Sequence, residues 1–424
     1  MPMNPVNTLE HALELDRRDP LRNFRDRFLF PHHDGAPVLY FTGNSLGLQP
    51  KGVAEILKEE MEDWAQHGVE GHFRARRPWV SYHEIFSESL ARIVGARPTE
   101  VVAMNGLTAN LHLLMVSFYR PKGRRTKILC EQRPFPSDTY AMASQIAFHG
   151  LDPKEHLVEM EPRPGEHTLR TEDITARIAE IGEELALVLF GGVNFYTGQA
   201  FDMRTLTAAG HAAGAVVGFD LAHAAGNIPL HLHDWGVDFA CWCSYKYMNS
   251  GPGGVAGAFV NERHFDSGLP MFAGWWGHDK QDRFKMGPTF RPIPTAEAWQ
   301  LSNAPVFAMA PHRAALDLFD EAGMDALHAK SVMLTGYLEQ VIDDVAATTG
   351  SRLEIITPRD PGQRGCQLSV VLHGQGRRLF DAMADRGVVA DWREPNVIRL
   401  APVPMYNSFE DVWRAGAILK EVLQ

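Results

Sequence analysis

The stretch Asp238-Phe-Ala-Cys-Trp-Cys-Ser-Tyr-Lys-Tyr-Met-Asn-Ser-Gly-Pro-Gly-Gly254 decides how the chain is read. Its first half is an apolar run that suits a strand buried on both faces. Lys246 follows directly, and a glycine-rich turn comes next. In open α/β sheets that is the place where ligands meet the carboxyl ends of strands. An ammonium buried there is costly unless it is paired or its charge is removed, and Schiff-base formation removes it. On spacing alone, the commoner reading is a strand-end lysine that reaches solvent.

Upstream, Val216-Val-Gly-Phe-Asp220 is a second apolar strand that ends in a carboxylate, followed by Leu-Ala-His223-Ala-Ala-Gly226. Asp220 precedes Lys246 by 26 positions (246 − 220), which leaves room for one loop and the next strand. A strand-end carboxylate can hold a protonated pyridine nitrogen while the lysine holds an aldehyde carbon, and that pairing makes pyridoxal phosphate an electron sink. Taken alone, Asp220 also reads as a helix cap before an alanine-rich stretch. Together the two residues predict a pyridoxal-phosphate enzyme of the α/β class with an aminotransferase-like (fold type I) large domain.

Further outward, short β-rich runs recur at Lys127–Cys130, Ala186–Phe190, Val216–Asp220, Phe239–Ser244 and Val255–Val260. Helical or loop segments separate them, so they predict a mostly parallel sheet covered on both faces. Helices are expected over Leu9–Asp26, Val53–Gly68 and His83–Val94. Past Ala304–Pro311 the pattern changes to helices at Arg313–Ala322 and Met324–Asp344, strands at Leu353–Thr357 and Gln367–His373, and helices at Gly376–Arg386 and Ser408–Leu423. The expected organisation is an N-terminal arm and helices (1–75), a cofactor-binding large domain (76–305) and a smaller C-terminal α+β domain (306–424).

Bulk properties narrow the function. The 424 residues are 45% hydrophobic and 22% charged with a net charge of −11, which argues against nucleic-acid binding. Four cysteines (Cys130, Cys241, Cys243, Cys366) do not form a disulfide framework. Met1–Leu15 carries no apolar secretory core, and no apolar run reaches the ~18 residues of a membrane span. The expectation is a reduced, cytoplasmic protein without membrane or nucleic-acid partners.

Longer strings are more specific. Phe41-Thr-Gly-Asn-Ser-Leu-Gly47, Met104-Asn-Gly-Leu-Thr-Ala-Asn-Leu-His-Leu-Leu114, Phe135-Pro-Ser-Asp138 and Asn194-Phe-Tyr-Thr-Gly-Gln199 are joined by Gly218–His223, His233–Tyr247 and Ile398-Arg-Leu-Ala-Pro-Val-Pro-Met-Tyr-Asn-Ser408. From about residue 40 to the end, the chain resembles the kynureninase family. The resemblance implies hydrolytic Cβ–Cγ cleavage of L-kynurenine, or its 3-hydroxy form, to anthranilate or 3-hydroxyanthranilate and L-alanine in tryptophan catabolism.

The resemblance also implies roles. Lys246 would carry the cofactor, Asp220 would pair with its ring nitrogen, and His223 would stand nearby. Leu107 and Thr108 would hold the phosphate at a helix N-terminus. Phe135 would cover the cofactor ring with Asp138 beside it. Tyr245 and Trp275 would reach the phosphate, Tyr245 doubling as a proton donor, and Asn303 would also touch the cofactor. Arg399 would anchor the substrate carboxylate through its guanidinium fork. His72, Trp276 and Ser302 would stand near the substrate's aromatic ring. A homodimer with a shared site is implied, Trp275 and Asn303 serving the neighbouring subunit. One departure is visible: animal members have Ser-Gly where this chain has Gly191-Gly192, so a serine contact to the cofactor does not transfer.

The residues admit two other readings. His231-Leu-His-Asp234 places two histidines at strand spacing, as some metal sites do, but the segment reads as a loop, and no metal is expected. A cysteine desulfurase needs an exposed reactive cysteine on a mobile loop, for which Cys366 is the candidate. Cys241 and Cys243 read as buried and inert.

Overall fold

The computed structural model of the chain describes residues 7–424. Its central sheet has seven strands: β1 (Val101–Ala103), β2 (Lys127–Glu131), β3 (Leu157–Met160), β4 (Leu185–Gly191), β5 (Val216–Asp220), β6 (Phe239–Trp242) and β7 (Gly257–Val260). They lie in the order β1-β7-β6-β5-β4-β2-β3. Every residue of β6 and β7 is buried, as strands sandwiched between helical layers must be. The strands from β3 through β2, β4 and β5 to β6 run parallel; β7 runs antiparallel to both β6 and β1. The mostly parallel sheet is therefore present, with one strand reversed. β7 is reversed because the glycine-rich turn after Lys246 brings the chain back without a helical crossover, and a parallel return needs one.

Register aligns the chemistry. Asp220 at the end of β5 stands opposite Gly191 at the end of β4 and Cys241 in β6. Two helices start at this edge of the sheet: Leu107–Phe118, behind β1, and Pro136–Phe148, behind β2.

Downstream lie the helices Val306–Ala322 and Met324–Thr349. A second, four-stranded sheet follows: β8 (Leu353–Ile355), β9 (Leu368–Leu372), β10 (Asp391–Arg393) and β11 (Val397–Leu400), in the antiparallel order β8-β9-β11-β10. A separate apolar core forms between this sheet and the helices Met324–Thr349 and Phe409–Leu423.

Several boundaries differ from the sequence expectations. The first helix stops at Arg18, because Asp19 precedes Pro20 and is extended, and a 3₁₀ turn covers Arg22–Arg27. Over His83–Val94 only Ser87–Val94 is α-helical; Trp79–Phe86 is 3₁₀. The N-terminal arm is docked on the C-terminal part of the chain. Ala12 is fully buried in the C-terminal core, and Leu39–Tyr40 pairs in parallel with Val388–Val389.

Candidate active site

A cavity of 220 Å³ opens at the carboxyl edge of the central sheet. Leu107, Thr108, Phe135, Asp138, Asp220, His223, Tyr245 and Lys246 all line it. At its lysine side, the loop after β6 is held by Ser244, whose hydroxyl meets the Ser250 hydroxyl at 2.7 Å and the Val255 carbonyl. Gly47, from the first quoted motif, donates its N–H to the Tyr245 carbonyl at 2.8 Å. A Cβ at Gly47 would stand 2.5 Å from the Lys246 carbonyl, so close approach explains the glycine. Lys246 Nζ lies 3.1 Å from His223 Nε2. Burial first, and then the Lys246 charge, keep the imidazole well below its ordinary pKa. His223 is therefore neutral, and its Nε2 accepts from the ammonium.

Opposite the lysine sits a pair of acids. The Asp220 carboxylate accepts from the Ala222 N–H at 2.7 Å, and Asp138 lines the same cavity beside it. Burial raises both, and the Asp220 charge lifts Asp138 further, so the pair's proton belongs on Asp138. Asp138 Oδ1 and His223 Nδ1 are buried without a partner.

At the third side two helix N-termini meet. Thr108 Oγ1 and Ser137 Oγ are 2.8 Å apart, and neither helix has a side-chain cap, its cap residues being Gly106 and Phe135. Uncapped first-turn N–H groups and two hydroxyls form a phosphate cradle. Phe135 faces the lysine, its ring centroid 5.6 Å from Nζ, and stands edge-on to Phe195. An amine, a buried acid and a phosphate cradle around one cavity fit pyridoxal phosphate.

Arg399 lies outside the cavity wall but one residue behind it. It is buried in β11, donates from Nη1 to the Phe195 carbonyl at 2.6 Å and pairs through Nη2 with Asp391. Phe195 itself lines the cavity.

The remaining predicted residues gather elsewhere, on one surface. His72 Nδ1 meets the Val69 carbonyl at 3.0 Å, and Trp275 donates to the Arg283 carbonyl at 3.1 Å. Phe73 and Trp275 both pack against Phe284. Trp276 is buried with the Arg283 guanidinium 4.4 Å from its ring; Ser302 and Asn303 are exposed.

Proteins with known names resemble the chain along its length. It is 58% identical over 416 residues to a kynureninase of Flavobacterium psychrophilum, covering 98% of both chains. It is 57% identical over 405 residues to that of Myxococcus xanthus, covering 95% of this chain and 94% of the relative. The chain belongs to the kynureninase family. The family model for the kynureninase C-terminal domain matches residues 327–419. Among solved structures, a cysteine desulfurase from Thermococcus onnurineus has the same fold at a TM-score of 0.76 and 18% identity, covering 91% of this chain and 94% of that one. The cystine C–S lyase C-DES matches at 0.76 and 16%, covering 91% and 98%. The fold is thus the aminotransferase-like one expected, and kynureninases use pyridoxal phosphate.

Kinship of fold with desulfurases does not extend to their thiol. All four cysteines are buried, and burial pushes the Cys366 thiol up to about 12, the reverse of a reactive thiolate. His231 is exposed and packs on Trp235, while His233 is committed to Glu100 at 2.9 Å. Among the described residues, His83, Glu84 and Glu297 form a metal-like cluster, but Lys280 reaches Glu84 and Glu297 at 2.9 Å and fills the cationic role. No helix among the described residues is long and apolar enough to cross a membrane.

Sequence reasoning missed Glu131, Ser137, Phe195 and Cys243 as lining residues. Ser137, Phe195 and Cys243 stood inside quoted motifs. Glu131 ends β2 as Asp220 ends β5, so the same strand-end signal was available for it.

Proposed function

We propose that the cavity is a kynureninase active site in which Lys246 carries pyridoxal phosphate and this chain hydrolyses L-kynurenine, or its 3-hydroxy form, to the anthranilate and L-alanine. The observation that carries the reading is the placement of Lys246 Nζ in one small cavity with the buried Asp220–Asp138 pair and the paired helix N-termini. When bound, the cofactor supplies an electron sink for the substrate's α-carbon.

The protein's own groups do the rest. Backbone N–H groups at Leu107 and Thr108, with the Thr108 and Ser137 hydroxyls, hold the phosphate. Asp220, ionised beside a protonated Asp138, faces the ring nitrogen and keeps its proton in place. Phe135 covers the ring. Lys246, once exchanged for the substrate amine, takes the α-proton at Nζ, and neutral His223 orients that nitrogen through Nε2. Burial, then Cys243, holds the Tyr245 phenol above its ordinary pKa, so it stays protonated and serves as a donor at the phosphate side.

Arg399 binds the substrate carboxylate. It takes the carboxylate in exchange for Asp391, whose charge stays compensated because Arg393 pairs with the same acid at 3.1 Å. His72, Trp276 and Ser302 bind the substrate's ring, and Trp275 and Asn303 complete the cofactor site of the neighbouring subunit in a homodimer. Exposed apolar side chains on that surface, Val69 at 77% and Phe73 at 61%, support an assembly that covers them. The 306–424 segment acts as the small domain that brings Arg399 to the cavity, and the enzyme works in the cytoplasm.

The test is direct. Purified protein with pyridoxal phosphate and L-kynurenine should release equimolar anthranilate and alanine. A bound cofactor without anthranilate would reject the substrate and leave the cofactor reading intact.

A further inference from the structure

The mechanism uses Asp220 and Asp138 and leaves a third acid of the same cavity, Glu131, without a task. Glu131 is 4% exposed, and its two carboxyl oxygens lie 3.1 and 3.2 Å from the single Gly191 N–H. Gly191 stands opposite Asp220 in the sheet register. A Cβ at residue 191 would come within 2.9 Å of Glu131 Oε1, so the carboxyl occupies the space a side chain there would need.

The groups around Glu131 are mostly acids. Asp220 and Glu159 bear on it, it bears on Asp138 and Cys130, and Lys246 is the cationic side chain on the cavity wall. On its far side Glu131 lines a second cavity of 420 Å³, where the charged or titratable residues are Arg133, whose backbone N–H reaches Glu159 at 3.4 Å, with Glu166, His167, Tyr196 and Glu394. A carboxyl so placed resists ionisation: burial chiefly pushes Glu131 up to about 7. Three acids against one lysine make a pocket suited to a ligand that brings its own proton.

We propose that Glu131 is a positioning residue acting through Asp220: it ties the end of β2 to the end of β4 at Gly191, opposite Asp220, and its charge helps the bound cofactor keep its proton. The proposal rests on the cofactor reading above. Below neutral pH Glu131 carries a proton and Asp220 works alone. Above it, Glu131 ionises, and the added negative charge opposes loss of a proton from the cofactor.

The test is the absorbance of the bound cofactor against pH in the holoenzyme, for the unaltered chain, Glu131→Gln and Glu131→Asp. The amide oxygen of Gln still accepts from Gly191, so cofactor stoichiometry should hold. The midpoint of the titration should nevertheless move to lower pH by about half a unit or more, since a neighbouring charge is lost. Glu131→Asp, which retains the charge, should restore most of the shift. The alkaline limb of the kcat/KM profile should move with the spectrum. A Gln titration that superposes on the unaltered one, or an Asp variant shifted as far as Gln, would overturn the proposal while leaving the cofactor reading standing. An unaltered chain that shows no cofactor absorbance would sink the cofactor reading, and this proposal with it.

Discussion

Two regions of the molecule treat polar and apolar groups in opposite ways. Around the 220 Å³ cavity, polar side chains are buried or half-buried and turned toward one another: Lys246 to neutral His223, Asp220 to the Ala222 N–H beside Asp138. On the surface built from residues 69–79, 275–284 and 302–303, large apolar side chains stand in the open: Trp275 is 47% exposed and Phe284 53%. The first arrangement is partnered within one chain except at Asp138 Oδ1 and His223 Nδ1, as buried polar groups are unfavourable unless partnered locally. The second leaves apolar area open to solvent, and exposed aromatic clusters of this kind are common at interaction surfaces. The contrast teaches where the proposed site is built from one chain, at the lysine, acids and paired helix N-termini, and where the proposal calls on a second subunit.

The largest expected effect breaks the first region. Lys246→Ala should lower kcat by at least ~10³-fold, the scale of a lost proton-transfer group, while cofactor still binds without covalent attachment. Single-turnover absorbance would report both. Next is the anchor behind the wall. Arg399→Lys should raise KM for kynurenine by roughly 10- to 100-fold, because one fork of two charge-assisted hydrogen bonds becomes a single point contact. Steady-state kinetics read this, and an unchanged KM would remove Arg399 from the substrate site.

The second region is tested by mixing subunits. Lys246→Ala and Trp275→Ala chains, each inactive or weak alone, should regain about a quarter of normal activity after joint refolding. Random two-fold pairing makes about half the dimers hybrid, each with one intact site. No recovery would place Trp275 in its own subunit's site or outside any site.

How much of this was legible in the sequence depended on local chemistry. Lys246 and Asp220 were readable because each terminates an apolar strand, where position alone implies the carboxyl edge of a sheet. β7 was readable as a strand but not as a reversed one, since an apolar run has no direction. Glu131 is hard to read as a strand end because the apolar run of β2 stops at Cys130, one residue before it. His72, Trp275, Ser302 and Asn303 lie in loops or a short helix without periodicity. Only family resemblance singled them out, and no spacing rule brings them near the cavity. The Asp19-Pro20 stop was visible and was overridden by the apolar pattern around it.

A smaller effect concerns stability in the decisive stretch itself. Burial would raise the Asp238 carboxyl, but hydrogen bonds from His211, His264, Arg263 and the Val217 N–H outweigh burial and hold it below its ordinary range. Its folded pKa lies below the unfolded one, so its stabilisation is present above about pH 4 and is lost as pH falls further. Asp238→Asn should cost about 1–3 kcal/mol at pH 7 by leaving the Arg263 guanidinium without its carboxylate, and the deficit should shrink toward pH 3. Thermal melts across that range would show a constant gap if the ion cluster contributes nothing.

The most direct measurement of the central claim is to reduce the holoenzyme with borohydride, digest it and weigh the peptides. The account predicts that the reduced cofactor's mass sits on the peptide bearing Lys246, and that prior incubation with kynurenine diminishes the labelling. Cofactor mass on another lysine, or on none while the protein still releases anthranilate, would contradict it.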